Sequence, residues 1–407
     1  MKIVNISRKA FAILFLAVWI VYCIINLMVR WPFLKQRLSE GWDFSSSLSY
    51  TMEAANGGIA FQEHIQNAGG YLKLALQQTM GSNYTIIQAE NGQLTYMDFY
   101  PYLSYDFSTP ALQMQQLQQA AQDRDATFLY LNATDLYIEG IGSYGSMPVV
   151  NHNPRADAFL NSLNGYGVEA LDSRTVLAAS ALAPQEYRYS TAPYWTTQAS
   201  FEVYLSLVEK LREQGVNIDG EGVYTDENNF TRTIYPSRYV GDIGKRLSVP
   251  VSGYDDFTLI EPGFETDFFV DYRYANHRNI RQGSFNQALL ETHWINSENP
   301  YQRDMYAVYL TGEYPLCIIQ NRLNPNGPKI LFVGDAYMLP VASFLATAAS
   351  EIHLLWPYTV PGSGTLIDYL EDESFDCVVV GMSPSLLYAD GFNYLQGIEV
   401  PQAPYTP

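Results

Sequence analysis

Apolar positions fall into three regimes along the chain. From Ala10 to Val29 they run without a charge, broken only by the amide of Asn26. At ~1.5 Å rise per residue, a helix of that length covers the ~30 Å hydrocarbon core of a bilayer. From about Phe61 onward short apolar runs alternate with amphipathic stretches. Strands are predicted at Tyr84–Ile87, Leu94–Met97, Ala126–Leu131, Val168–Leu171, Tyr306–Leu310, Lys329–Val333, Ile352–Leu355 and Cys377–Val380. Helices are predicted after Pro110 and over Ala156–Leu163, Thr197–Gln214, Pro340–Ala349 and Gly364–Leu370. Strands alternating with helices imply a mostly parallel sheet covered on both faces. Between residues 220 and 300 the rhythm breaks, and Tyr, Asp, Asn and Arg are interspersed among short strand-like runs. A β-rich insertion is expected there.

These regimes divide the chain into a cytoplasmic N-terminus (1–9), a transmembrane signal anchor (10–29), a juxtamembrane connector (30–60), one α/β domain (61–395) and a flexible tail (396–407). Large residues continue to Met28 and Arg30-Trp31 follows, so the segment lacks the small-residue site of a cleaved signal peptide. Lys2, Arg8 and Lys9 on one side are balanced by Arg30, Lys35 and Arg37 on the other. Orientation therefore rests on the size of the body, which is expected outside the cytoplasm on a single-pass cell-membrane anchor.

A net charge of −19 argues against nucleic acid and against an anionic lipid surface as partners. Of three cysteines, Cys23 lies in the apolar segment, while Cys317 and Cys377 sit in strand-like runs and read as packing residues. Aromatics make up 14% of the chain, with 32 tyrosines, a composition suited to sugar clefts or protein interfaces. No cofactor or metal motif is found. The sequons at Asn83, Asn132 and Asn229 are common by chance and carry no weight on their own.

The most informative segment is Pro328–Pro340, where an apolar strand runs into Gly334-Asp335-Ala336 and then a helix. The crevice outside strand ends is where SGNH-type esterases and acyltransferases place a serine nucleophile. With Phe344-Leu345 in that helix and Asp376–Val380 downstream, the pattern resembles the DHHW family of SGNH-like proteins, relatives of the alginate O-acetylation proteins. Upstream, Leu171-Asp172-Ser173-Arg174 and Tyr189–Thr196 match the frame of two further family motifs.

The resemblance implies a three-layer α/β/α fold, and it implies a degenerate site. Where the family has Asp-Ser, the chain has Asp335-Ala336. Where it has the Asp and His of a Ser-His-Asp triad, the chain has Ala192, Pro193 and Tyr194 before Trp195. The oxyanion block matches Leu310–Pro315, where Gly312 retains a main-chain N–H and Glu313 replaces an amide with a carboxylate that would repel an oxyanion. Catalytic residues are therefore expected to be absent. Asp335 is expected to cap the following helix.

His293, in Glu291-Thr-His-Trp294, is the alternative base, but a turn-rich loop follows it. His64, His152, His277 and His353 read as structural. The expected function is a pseudoenzyme, an accessory or glycan-binding subunit of a cell-surface polysaccharide O-acylation system. Its expected partners are a membrane-bound O-acyltransferase, a catalytically intact paralogue or the envelope polysaccharide itself. An active O-acetyltransferase or esterase using other residues, and a ligand-free scaffold, stand as alternatives. A tyrosine at 194 is large enough to plug the cleft.

Overall fold

The structure is a computed structural model that describes residues 8–39, 61–78, 85–98, 105–274, 278–358 and 364–398. It has two compact units, Met1–Leu72 and Lys73–Pro407. The first holds helix α1 (Arg8–Ser39) and most of α2 (Gln62–Ala75). Within α1, Ala10–Val29 is long and apolar enough to cross a membrane, and none of it is covered by the chain. The helix runs on past residue 30, so the expected connector is helical as far as Ser39, and residues 40–60 lie outside the described ones. Asn26 donates from Nδ2 to the carbonyl of Tyr22 one turn back, at 2.8 Å.

In the second unit the strands are β1 (Ile86–Gln88), β2 (Leu94–Tyr96), β3 (Thr127–Asn132), β4 (Ala170–Asp172), β5 (Phe230–Tyr239), β6 (Asp255–Pro262), β7 (Phe268–Arg273), β8 (Arg278–Gly283), β9 (Leu316–Asn321), β10 (Lys329–Gly334), β11 (Glu351–Leu355) and β12 (Cys377–Met382). Apart from single turns of four residues, its α-helices are α3 (Ser108–Gln122), α4 (Asn153–Gly165), α5 (Ser173–Ala179), α6 (Thr197–Glu213), α7 (Asp242–Leu247), α8 (Met338–Ala348) and α9 (Leu366–Asp372). Eight strands form one sheet in the order β4-β3-β12-β10-β11-β9-β7-β8. The first five run parallel, and β9, β7 and β8 continue the sheet antiparallel.

The continuous apolar runs follow from burial on both faces. Along β10, Ile330 and Phe332 enter a core shared with α6 and α8, whereas Leu331 and Val333 enter a core shared with α3, α4 and α9. The result is three layers, α/β/α. Every residue of α8 is buried, which explains its lack of a polar face. Helix α6 starts at Thr196, whose side chain accepts the N–H of Ala199, and its apolar stripe packs on α8 with Phe201 and Phe344 at 5.1 Å.

Two expectations need correction. The 220–300 segment is not one insertion: β5 and β6 pair separately, whereas β7 and β8 belong to the main sheet. Their polar residues misled because β8 is an edge strand, and buried Asp271 between Arg273 and Arg278 is paired rather than exposed. Tyr306–Leu310 is a short 3-10 turn and loop, with Leu310, Thr311 and Gly312 at φ of 54, 58 and 105°. It is apolar because it is buried, and a buried loop has the same composition as a buried strand.

At the C-terminal end Gln113 donates to the carbonyls of Leu395 and Ile398, so the chain is tied to α3 as far as Ile398; residues 399–407 lie outside the described ones. Cys317 and Cys377 lie in β9 and β12, three strand spacings apart, roughly 14 Å at ~4.8 Å each, beyond the reach of a disulfide.

Candidate functional site

The parallel strands β3, β12, β10 and β11 end together, and the loops leaving them enclose a cavity of about 380 Å³. Gly334 and Gly381, paired across β10 and β12, lie under Met338, the first residue of α8. A Cβ on Gly334 would meet the Met338 side chain at 2.9 Å, and one on Gly381 would meet its sulfur at 2.7 Å. Glycine at both strand ends lets the helix turn back tightly over the sheet. That turn presents Asp335, Ala336 and Tyr337 to the cavity.

Asp335 does not cap α8, which begins after Tyr337 with no side-chain cap. Its carboxylate accepts the N–H of Tyr337 at 3.0 Å and the N–H of Ser383 at 2.7 Å, so it ties the β10 loop to the β12 loop. Burial pushes the carboxyl up to about 6, against the pull of those donors. Ala336 puts a methyl group on the cavity wall.

The segment that the resemblance matches to the family's acid and base motif is fastened to this loop. Trp195, fully buried, donates from Nε1 to the carbonyl of Tyr337 at 2.8 Å. The Tyr337 hydroxyl donates to the carbonyl of Pro193 at 2.6 Å. Behind them, the buried guanidinium of Arg188 donates to the carbonyls of Leu94, Tyr189 and Ala192, and Asp255 accepts the N–H groups of Ser190 and Thr191.

Pro193, Tyr194 and Glu313 join Asp335 and Ala336 in lining the cavity, whereas Ala192, Trp195 and Gly312 stand behind it. Tyr194 does not fill the space. Its ring lies flat on Tyr306, with centroids 4.1 Å apart and planes at 16°, leaving the cavity open. Burial, with Asp335, Asp304 and Asp242 nearby, pushes Glu313 up to about 7. Its repelling charge is therefore present only above that pH, and below it the side chain is an acid that can donate.

His293 lies elsewhere, exposed and 2.7 Å from Glu291. His353 is held in β11 between Tyr369 and Glu351, His64 is in α2, and His277 lies outside the described residues. His152 is different. It lines the cavity, and its Nδ1 is 2.9 Å from Oδ1 of Asp135, a buried side chain leaving the end of β3. Sequence reasoning missed this pair because its members belong to separate loops. The one local signal was a histidine just before a helix-opening Asn153-Pro154. Trp356 and Tyr358 from the β11 loop and Tyr96 supply aromatic walls. Among the described residues no group of three His, Cys, Asp or Glu is placed to hold a metal.

No sequence-family model matches the chain, and no curated protein is significantly similar to it. Solved structures do resemble it. PatB1 from Bacillus cereus has a TM-score of 0.59 at 17% identity, covering 76% of this chain and 99% of that one. PatB1 carrying a sulfonyl adduct gives 0.58 at 16%, with the same coverage. A DHHW family protein from Eubacterium siraeum gives 0.53 at 14%, covering 78% of this chain and 97% of that one. At these identities the likeness concerns architecture: the chain has the SGNH-like fold of PatB1 and of that DHHW family protein.

Proposed function

We propose that this protein is a membrane-anchored, extracytoplasmic accessory subunit that holds an acyl-bearing envelope glycan in the cavity at the ends of β3, β12, β10 and β11. The observation that carries this reading is an open cavity walled by Tyr96, Tyr194, Trp356 and Tyr358 at the place where an SGNH-type nucleophile would stand, with only the methyl group of Ala336 there. Aromatic rings offer flat apolar faces to sugar C–H surfaces, and their hydroxyls and the surrounding carboxylates offer hydrogen bonds to sugar hydroxyls. Serine-nucleophile chemistry has no group at position 336 to perform it. Helix α1 supports the anchoring, and an anchored glycan holder suits work beside a membrane-bound O-acyltransferase or a catalytically intact paralogue.

The test uses the full chain in detergent micelles. Titration with O-acetylated cell-envelope oligosaccharides, read by tryptophan fluorescence, should saturate, and Trp356→Ala should weaken binding at least tenfold. An absence of saturable binding to any envelope glycan, together with no acyltransferase recovered with the anchored protein, would sink the reading.

A further inference from the structure

The cavity contains an imidazole that the family resemblance does not account for. Asp135 has a side chain 1% exposed, and it grips His152 twice. One carboxylate oxygen accepts the main-chain N–H of His152 at 2.5 Å, and the other lies 2.9 Å from Nδ1. A carboxylate can only accept, so in the neutral ring the proton sits on Nδ1 and Nε2 is the basic nitrogen. Nε2 has no partner among the described residues, and His152 and Asp135 line the same cavity as Ala336. The main-chain bond alone would serve the start of α4. The second bond, to the ring, fixes the rotation and tautomer of the imidazole, as a base requires.

Acyl chemistry also needs a donor for the developing oxyanion. The N–H of Ala336, at the cavity wall, donates to no acceptor among the described residues. It stands in a loop held firmly by other bonds, since Asp335 accepts from the flanking Tyr337 N–H and from the N–H of Ser383.

We infer that His152, positioned by Asp135, is the general base of a serine-independent deacylation in this cavity, with water as nucleophile and an O-acyl saccharide as substrate. Nε2 takes a proton from water as its oxygen attacks the ester carbonyl carbon, and the carbonyl electrons move onto oxygen. The tetrahedral intermediate then collapses, the bond from carbon to the sugar oxygen breaks, and that oxygen takes the proton from Nε2. The products are a carboxylic acid and a free sugar hydroxyl, with no redox change and no covalent enzyme intermediate. The inference rests on the cavity holding an acyl-bearing glycan, and it adds turnover to binding.

The test again uses the full chain in detergent, with 4-nitrophenyl acetate and an O-acetylated N-acetylglucosamine oligomer as probes, binding of the oligomer being followed separately by fluorescence. Wild type should turn both over above buffer, and a serine-directed fluorophosphonate should leave the rate unchanged. His152→Asn retains an N–H for Asp135 and so preserves the loop; it should lower kcat by about 10²- to 10³-fold. Asp135→Asn, a change at a positioning residue, should lower kcat with little change in KM. Millimolar imidazole should restore turnover to His152→Ala.

Oligomer binding without turnover above buffer would overturn the inference and leave the binding reading intact. Variants as fast as wild type would overturn it too, as would loss of the rate through a phosphonate adduct on Ser385, a serine that also lines the cavity. Turnover of the chromogenic ester through His152 with no glycan binding would sustain the base and sink the glycan reading.

Discussion

Asp335 offers a quantitative test of the cavity's electrostatics. It is buried, its partners are the main-chain N–H groups of Tyr337 and Ser383 and the Ser383 hydroxyl, and it has no ion-pair partner among the described residues. Its carboxyl, ordinarily at 3.8, is pushed up to about 6 by desolvation, and the hydrogen bonds pulling it down do not prevail. A group whose folded titration lies above its unfolded one binds its proton more tightly in the native state. Its contribution to stability is full below the unfolded value of 3.8 and is lost as pH rises through about 6. The gap corresponds to roughly 3 kcal/mol, at ~1.36 kcal/mol per pH unit.

Asp335→Asn has no such proton to lose. Urea unfolding of wild type and variant side by side, from pH 4 to pH 7.5, should show the stability difference drifting by about 2 kcal/mol in favour of the variant as pH rises, less than the full gap because the unfolded carboxyl is already partly ionised at pH 4. The offset at any one pH includes the hydrogen bond that an amide cannot accept, but that cost is constant and drops out of the drift. Glu313, raised in part by Asp335, titrates lower in the variant and adds to the drift with the same sign. A flat difference across the range would refute the claim that Asp335 lies buried without a counter-charge.

Other consequences are simpler. Gly241→Ala places a Cβ 2.2 Å from that of Ala192 and 2.6 Å from the carbonyl of Thr191, so it should cost about 2 to 3 kcal/mol and lower the thermal midpoint; an unchanged midpoint would show that the 189–195 loop is not packed as described. Trp195→Phe removes the Nε1 hydrogen bond to Tyr337 and some buried volume, and the urea midpoint should report a loss of roughly 1 to 3 kcal/mol. Removing residues 1–39 should move the protein from the carbonate-resistant membrane pellet to the supernatant, and retention in the pellet would deny α1 the anchoring role.

Much of the fold was legible because burial on two faces leaves a distinct trace. Lys329–Val333 and Cys377–Val380 alternate between two cores, so almost every side chain is apolar, and the helices between strands carry clear stripes. The same logic failed at Tyr306–Leu310, where burial without regular pairing produced an identical composition. It failed again at β7, whose run Phe268–Val270 is strand-like in the sequence but reads as part of an insertion, whereas pairing with β9 places it in the main sheet. Those outcomes depend on pairing partners distant in sequence, which local patterning does not encode.

The candidate site rests on a different reason: Asp335, Ala336, Pro193, Tyr194 and Glu313 were singled out by resemblance, and the fold brings these five to one cavity. What resemblance could not supply was the state of that cavity. The phenol of Tyr194 is larger than an imidazole and would block the crevice if it kept an imidazole's direction. Stacking on Tyr306 at 4.1 Å, with the edge of Tyr337 at 5.3 Å, turns it along the wall instead. Such contacts are worth ~0.5–1.5 kcal/mol each, enough to hold the ring in that pose. Turned along the wall, Tyr194 leaves room in the cavity, and that room is bordered by the imidazole of His152 on a different loop.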